Sequence, residues 1–227
     1  MTDDYLKLFA EKKLVLIMSL PKNDPAWCRA AFEAGADVVK VHINVEHRAS
    51  GTRFGRLSEE RPKLEAMLAR RSGPMGLVLG GSLEHAALDA EEANDLPFAF
   101  YSVYAHHMPV WALGGKPLMA ACDGTYSLDE IREMPRLGAD VVEASIMPGS
   151  EYGQRLSLRD LIKYRLIAEN VSVPVVAPTQ RAILPQEAEA LIRAGVKGLM
   201  IGAVVTGKEE ISISRAVAAF RKAIDEV

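Results

Sequence analysis

The chain has few cysteines, no apolar run of membrane length and no block of like charge, and each shortage removes a class of function. Its two cysteines, Cys28 and Cys122, lie far apart. They form neither a metal-type pair nor the framework of a small secreted domain, and they fit a reduced, cytoplasmic protein. No stretch approaches the ~20 apolar residues of a membrane span, and the opening MTDDYLKLF is too acidic for a signal peptide, so neither membrane nor export is expected. A net charge of −3 without long like-charge runs argues against nucleic acid or an anionic membrane surface as partner. No low-complexity segment or linker divides the chain, and no GxGxxG opens its first unit, which removes the dinucleotide fingerprint.

What is present is a repeat of short apolar runs and amphipathic stretches. After a short opening helix through Lys12, capped by Thr2 or Asp3, strands are expected over Leu14–Leu20, Ala36–Asn44, Gly76–Leu79, Phe98–Tyr104, Pro117–Cys122, Asp140–Met147, Val173–Ala177 and Gly198–Ile201. Helices lie between most of them. Asp24-Pro25 starts one, Ser127 with Glu130 and Ser157 with Asp160 start two more, and Ser212 or Ser214 starts the last. The segment from Val45 to Leu57 reads as a long, functional loop. Eight strand-helix units need about 200 to 250 residues, and the chain has 227. The expectation is an α/β fold, a (βα)8 TIM barrel with a short N-terminal helix, forming a single domain over 1–227.

Alternation within strands picks out candidate chemistry. Val39, Val41 and Ile43 share one face of the second strand, and Lys40, His42 and Asn44 share the other, which in a closed barrel points inward. Glu143 and Ser145 share the inward face of the sixth strand. A lysine in a barrel loses hydration, which frees its amine for base or imine chemistry; the alternative is an ion pair with Glu143 or Asp123. Histidine at position 42 suits proton shuttling, or is a hydrogen-bonded lining residue. A metal set is not expected, since His42-x-Asn44 stands where His-x-Asp would be needed. Arg48, Arg53 and Arg56 are either a lid over an anion or surface charge. The aromatic fourth strand reads as packing, and His106-His107 as its polar end or as lining of the mouth.

Near the C-terminus, VPVVAPTQRAILPQEAEALIRAGVKGLMIGAVVTG reads as strand, helix and parallel strand. The last strand closes on Gly202-Ala203, small residues where the final loops of such barrels commonly hold phosphate.

These phrases, with Ala34-Gly35-Ala36-Asp37-Val38-Val39-Lys40, Arg136-Leu137-Gly138-Ala139-Asp140-Val141-Val142 and Ile201-Gly202-Ala203-Val204-Val205-Thr206, resemble the ribulose-phosphate-binding barrels, and most of all the N-acetylmannosamine-6-phosphate 2-epimerase family. The resemblance runs along nearly the whole chain. It implies a barrel that binds a phosphorylated metabolite, with Arg181 and Gly202-Ala203 retained at the phosphate site; homodimers are common among such barrels. The family's catalytic lysine at the end of strand three is replaced by Gly80-Gly81, and its catalytic glutamate at the end of strand seven by Pro178. The family's own activity therefore does not transfer. The expected function is an isomerase or epimerase of a small phosphorylated sugar without a cofactor, using Lys40, His42 and Glu143. Gln180, Arg181, Gly202 and Ala203 would hold the phosphate, and Asn44, Asp123 and Ser145 would contact the rest of the substrate. An imine-forming lyase on Lys40 and a non-catalytic binding barrel are the alternatives.

Overall fold

In the computed structural model, which describes residues 2–227, the strands in chain order are β1 (Val15–Ser19), β2 (Val38–His42), β3 (Val45–His47), β4 (Thr52–Phe54), β5 (Met75–Val78), β6 (Phe100–Tyr104), β7 (Leu118–Cys122), β8 (Val141–Ala144), β9 (Val175–Pro178) and β10 (Gly198–Ile201). β3 and β4 form a separate antiparallel hairpin, and the others close into a parallel barrel ordered β1-β2-β5-β6-β7-β8-β9-β10 and back to β1. Around it run α1 (Thr2–Glu11), α2 (Pro25–Glu33), α3 (Leu57–Arg70), α4 (Leu83–Ala93), α5 (Leu128–Glu133), α6 (Leu158–Asn170), α7 (Ala188–Arg193), α8 (Ala203–Thr206) and α9 (Glu210–Asp225). This is the (βα)8 TIM barrel, an α/β fold, with the expected short N-terminal helix.

Local chemistry sets several of the helix starts. The Asp24 carboxylate accepts from Ala26 N at 2.9 Å, with Pro25 following as first helical residue. Ser127 with Glu130, and Ser157 with Asp160, form reciprocal capping boxes. Capping by Thr2 or Asp3 lies outside the described side chains. The last helix starts at Glu210, ahead of both serines proposed for it, and Ser212 instead accepts from the Glu209 N–H.

The core has two parts. One fills the space between strands and helices and includes Leu16, Val41, Leu77, Leu199 and Phe220. The other lies inside the barrel and includes Ile17, Val38, Phe100, Met119, Val141 and Val176, sealed by Tyr5 and Phe9 from α1. The Tyr5 ring stacks on Phe100 with centroids 4.0 Å apart. A Cβ at Gly76 would run into that same Phe100 ring, so this strand position must stay bare. Each large side chain buried here contributes about 1.5–3 kcal/mol. The N-terminal half of the interior is thereby filled with apolar side chains, and the cavity lies in the C-terminal half.

Candidate active site

Above the apolar layer the inward positions become polar. Lys40, beside Ser19 and Gly76 in the strand register, points into the barrel. Its Nζ lies 3.1 Å from Glu143 Oε2 and 3.3 Å from Ser102 Oγ. Ser102 Oγ donates to the same Oε2 at 3.2 Å, and Ser145 Oγ donates to Oε1 at 2.8 Å. Lys40, Ser102, Glu143 and Ser145 are all buried. Desolvating such a pair is costly, and the serines are what supply the remaining hydrogen bonds the carboxylate needs. The structure thus joins Lys40, Glu143 and Ser145, in the ion pair that was one of the two readings of Lys40.

His42 is the next inward residue on β2. It is buried, and its Nδ1 has no hydrogen-bond partner among the described residues. The segment read as a loop supplies its cover: β3 and β4 pair Val45 with Phe54 and His47 with Thr52, turning at Gly51, whose φ is 68°. Phe54 stacks on His42 with centroids 4.6 Å apart, and the His47 ring lies 4.8 Å away. Burial, then the neighbouring His47 and Lys40, holds the His42 imidazole well below its ordinary range, so it is neutral. His47, whose Nδ1 lies 2.7 Å from Ser50 Oγ, is pushed down to about 4 by burial and then by Lys40, against a smaller opposing pull from Glu143.

Three of the expected ligand-binding side chains are engaged elsewhere. Asn44 takes a left-handed backbone with φ 55°, and its Nδ2 donates to Leu79 O at 3.3 Å and Asp89 Oδ2 at 2.8 Å. It turns away from the cavity because β2 has ended at His42 and the inward alternation with it. Arg181 donates from Nε and Nη2 to Asp160, each at 3.1 Å, and from Nη2 to Glu151 Oε2 at 2.5 Å, tying the loop after β9 to α6. Its guanidinium is occupied by these ion pairs and does not line the cavity. Gln180 reaches the cavity wall, but its carboxamide accepts from Met147 N at 3.0 Å and donates to Ser145 O at 3.2 Å and Tyr152 OH at 2.7 Å. It positions the loops after β8 and β9. Of the three arginines, Arg56 makes a forked pair with Asp89, Arg53 is exposed, and Arg48 alone lines the cavity.

That cavity, about 670 Å³, opens at the C-terminal ends of the strands and is lined by Lys40, His42, Arg48, Glu143, Gly202 and Ala203 among others. Its volume suits a small metabolite. On one side β10 ends and the Gly202 N–H donates to Thr179 Oγ1 at 3.0 Å. The four-residue α8 follows, and the N–H groups of a first helical turn have no intrahelical acceptors. On the other side Asp123 accepts from Thr125 N at 2.9 Å and Thr125 Oγ1 at 2.6 Å. Those bonds, the hydroxyl first, hold its carboxyl below the usual range against the opposing effect of burial. Tyr104 stacks on His106 with centroids 5.2 Å apart, and both histidines of the pair line the mouth. Phe100 and Tyr101 are packing, as expected. Tyr104, expected to pack with the rest of its strand, lines the cavity, as do Ser102 and Thr179, which the sequence did not single out; Ser102 was legible, since it alternates inward between Phe100 and Tyr104.

No family model and no curated relative matches this chain. Solved structures do. Thiamine phosphate pyrophosphorylase from Pyrococcus furiosus superposes with a TM-score of 0.68 at 20% identity, covering 96% of this chain and 98% of that one. Tryptophan synthase of Mycobacterium tuberculosis superposes with a TM-score of 0.71 at 13% identity, covering 96% of each chain. The tryptophan synthase complex from Pyrococcus furiosus gives 0.68 at 13% identity, over 91% of this chain and 97% of that one. At these identities the likeness is one of fold.

Proposed function

We propose that this barrel is an enzyme acting on a small phosphorylated sugar or related metabolite, moving a proton on carbon as an isomerase or epimerase. The observation that carries the reading is the buried Lys40–Ser102–Glu143–Ser145 network on the cavity floor, with the unpartnered His42 Nδ1 on the next inward position. Apolar side chains of similar size would hold a barrel together at no desolvation cost, so ionised groups at this depth point to chemistry.

The phosphate is assigned to the corner at Gly202, Ala203 and Val204, all cavity residues. A Cβ at Gly202 would meet nothing closer than Ser19 O at 3.6 Å, so packing does not demand glycine there; a ligand approaching the backbone would. The name of the Pyrococcus neighbour includes a phosphate compound, which supports the assignment by analogy of fold alone. With phosphate at that corner the carbon skeleton extends toward the floor. Glu143, oriented by both serines, takes the proton next to a carbonyl. Lys40 donates to the oxygen as enolate charge develops. Glu143, then protonated, returns that proton to the same or the neighbouring carbon, and His42, neutral and with a free nitrogen, accepts a hydrogen bond from a substrate hydroxyl. Asp123 is left to contact substrate hydroxyls at the mouth.

The test is a panel of phosphosugars in deuterium oxide. One carbon-bound deuterium should enter the true substrate, and Lys40→Met and Glu143→Gln should each stop it. Lys40 is the lysine of the cavity lining, which also favours an imine reading. A borohydride-stable adduct on Lys40 would replace proton transfer by lyase chemistry. A ligand that raises Tm but returns unchanged and unlabelled would overturn both.

A further inference from the structure

The geometry points to Arg48 as the residue that grips the ligand's anionic group, carried across the mouth on the β3–β4 hairpin. This deepens the phosphorylated-ligand reading and rests on it. Arg48 is exposed, lines the cavity, and has no hydrogen bond or ion pair with any described residue. Free guanidinium beside a cavity is a forked donor matched to phosphate or carboxylate. Glu46, on β3 two residues before Arg48, lines the mouth without pairing with it.

The hairpin's placement explains how that group is delivered. Both of its ends are tied to Asp89 of α4: Asn44 just before it and Arg56 and the Leu57 N–H just after. From this anchor it crosses the mouth. The Arg48 guanidinium lies where a Cβ of Gly149, in the loop after β8, would be, and a Cβ at the tip residue Gly51 would stand 3.8 Å from Lys208 Nζ, beyond α8. Lys208 likewise has no ion pair among the described residues. The hairpin therefore spans from β2 to the loops after β8 and β10, with Arg48 at the cavity and its tip beside Lys208. Its inner side chains, His47 and Phe54, close over His42, which is 3% exposed. A ligand held by Arg48 keeps that cover shut over the reacting groups and excludes water from them.

Inorganic phosphate is the probe, with binding measured by calorimetry and hydrogen exchange of residues 45–54 followed alongside. The variants are Arg48→Ala, Arg48→Lys, Arg53→Ala and Ala203→Asp, each checked for an unchanged thermal transition. Arg48→Ala should weaken phosphate at least about tenfold, as loss of one charge-assisted pair does, and Arg48→Lys should recover part of it. Arg53→Ala should bind as wild type. Phosphate should slow hairpin exchange in the wild type and not in Arg48→Ala. Wild-type affinity in Arg48→Ala, with binding abolished in Ala203→Asp, overturns the role of Arg48 and leaves the phosphate corner standing. The reverse pattern overturns the corner and keeps Arg48. A wild-type protein that takes up no phosphate overturns both.

Discussion

Lys40 Nζ and Glu143 Oε2 meet at 3.1 Å inside the barrel although 103 residues separate them in the chain. Their pairing fixes β2 against β8 across the interior and places an acid and a base at the cavity floor. Removing one member strands the other's charge. Lys40→Met or Glu143→Leu alone should destabilise the protein by about 3–5 kcal/mol, while the double variant should recover most of that loss. Denaturant unfolding of the two single variants and the double variant measures it. Additive losses would mean the pair is not coupled.

The anchor at Asp89 gives a stability prediction in acid. Burial raises this carboxyl, but bonds from Arg56, Leu57 N and Asn44 outweigh it and hold the group at about 2. The ordinary aspartate value is about 3.9. A folded-state value below the unfolded one means the stabilisation is whole above about 3.9 and is lost as pH falls toward 2. Asp89→Asn should remove that part of the acid dependence. Asp89→Ala should cost about 1–3 kcal/mol by leaving buried donors unpaired and should speed hydrogen exchange across residues 45–54.

His42 and His47 make the opposite contribution to net charge but the same direction in pH. Both are held below the ordinary histidine value, His47 at about 4. The unfolded chain therefore binds protons near pH 6.5 that the folded protein refuses. Stability is complete above about pH 6.5 and declines as pH falls toward 4. Urea midpoints at pH 8 and pH 5 should differ more for wild type than for His47→Gln. The His47 ring proton in NMR should titrate near 4, and a midpoint near 6.5 would show that the hairpin does not cover it.

At the barrel's other end, Tyr5 is fully buried with a hydroxyl that has no partner among the described residues. Tyr5→Phe should stabilise by about 1 kcal/mol, since it deletes an unsatisfied polar group and keeps the stack on Phe100. Tyr5→Ala should cost about 3–5 kcal/mol. Gly76→Ala should cost about 1–3 kcal/mol or more, because Phe100 fills the space a methyl would need. Thermal unfolding orders the three.

What the sequence by itself determined was the succession of units and the facing of their residues. A period of two along Val39–His42 and along Val142–Ser145 is a local property, and it placed Lys40, His42, Glu143 and Ser145 inside before any strand was paired. The caps at Asp24, Ser127 and Ser157 are local for the same reason. Partnership is not local. Asn44 continued the alternation on paper, yet β2 stops at His42 and Asn44 turns to Asp89, 45 residues on. The resemblance set Arg181 at the phosphate site, while its partner Asp160 lies on α6, 21 residues earlier in the chain. The hairpin over His42 and the hydroxyl of Thr179 under Gly202 came from the same source. Which charges are satisfied and which are left free, Arg48 among them, is decided when the barrel closes and brings distant segments within hydrogen-bond reach.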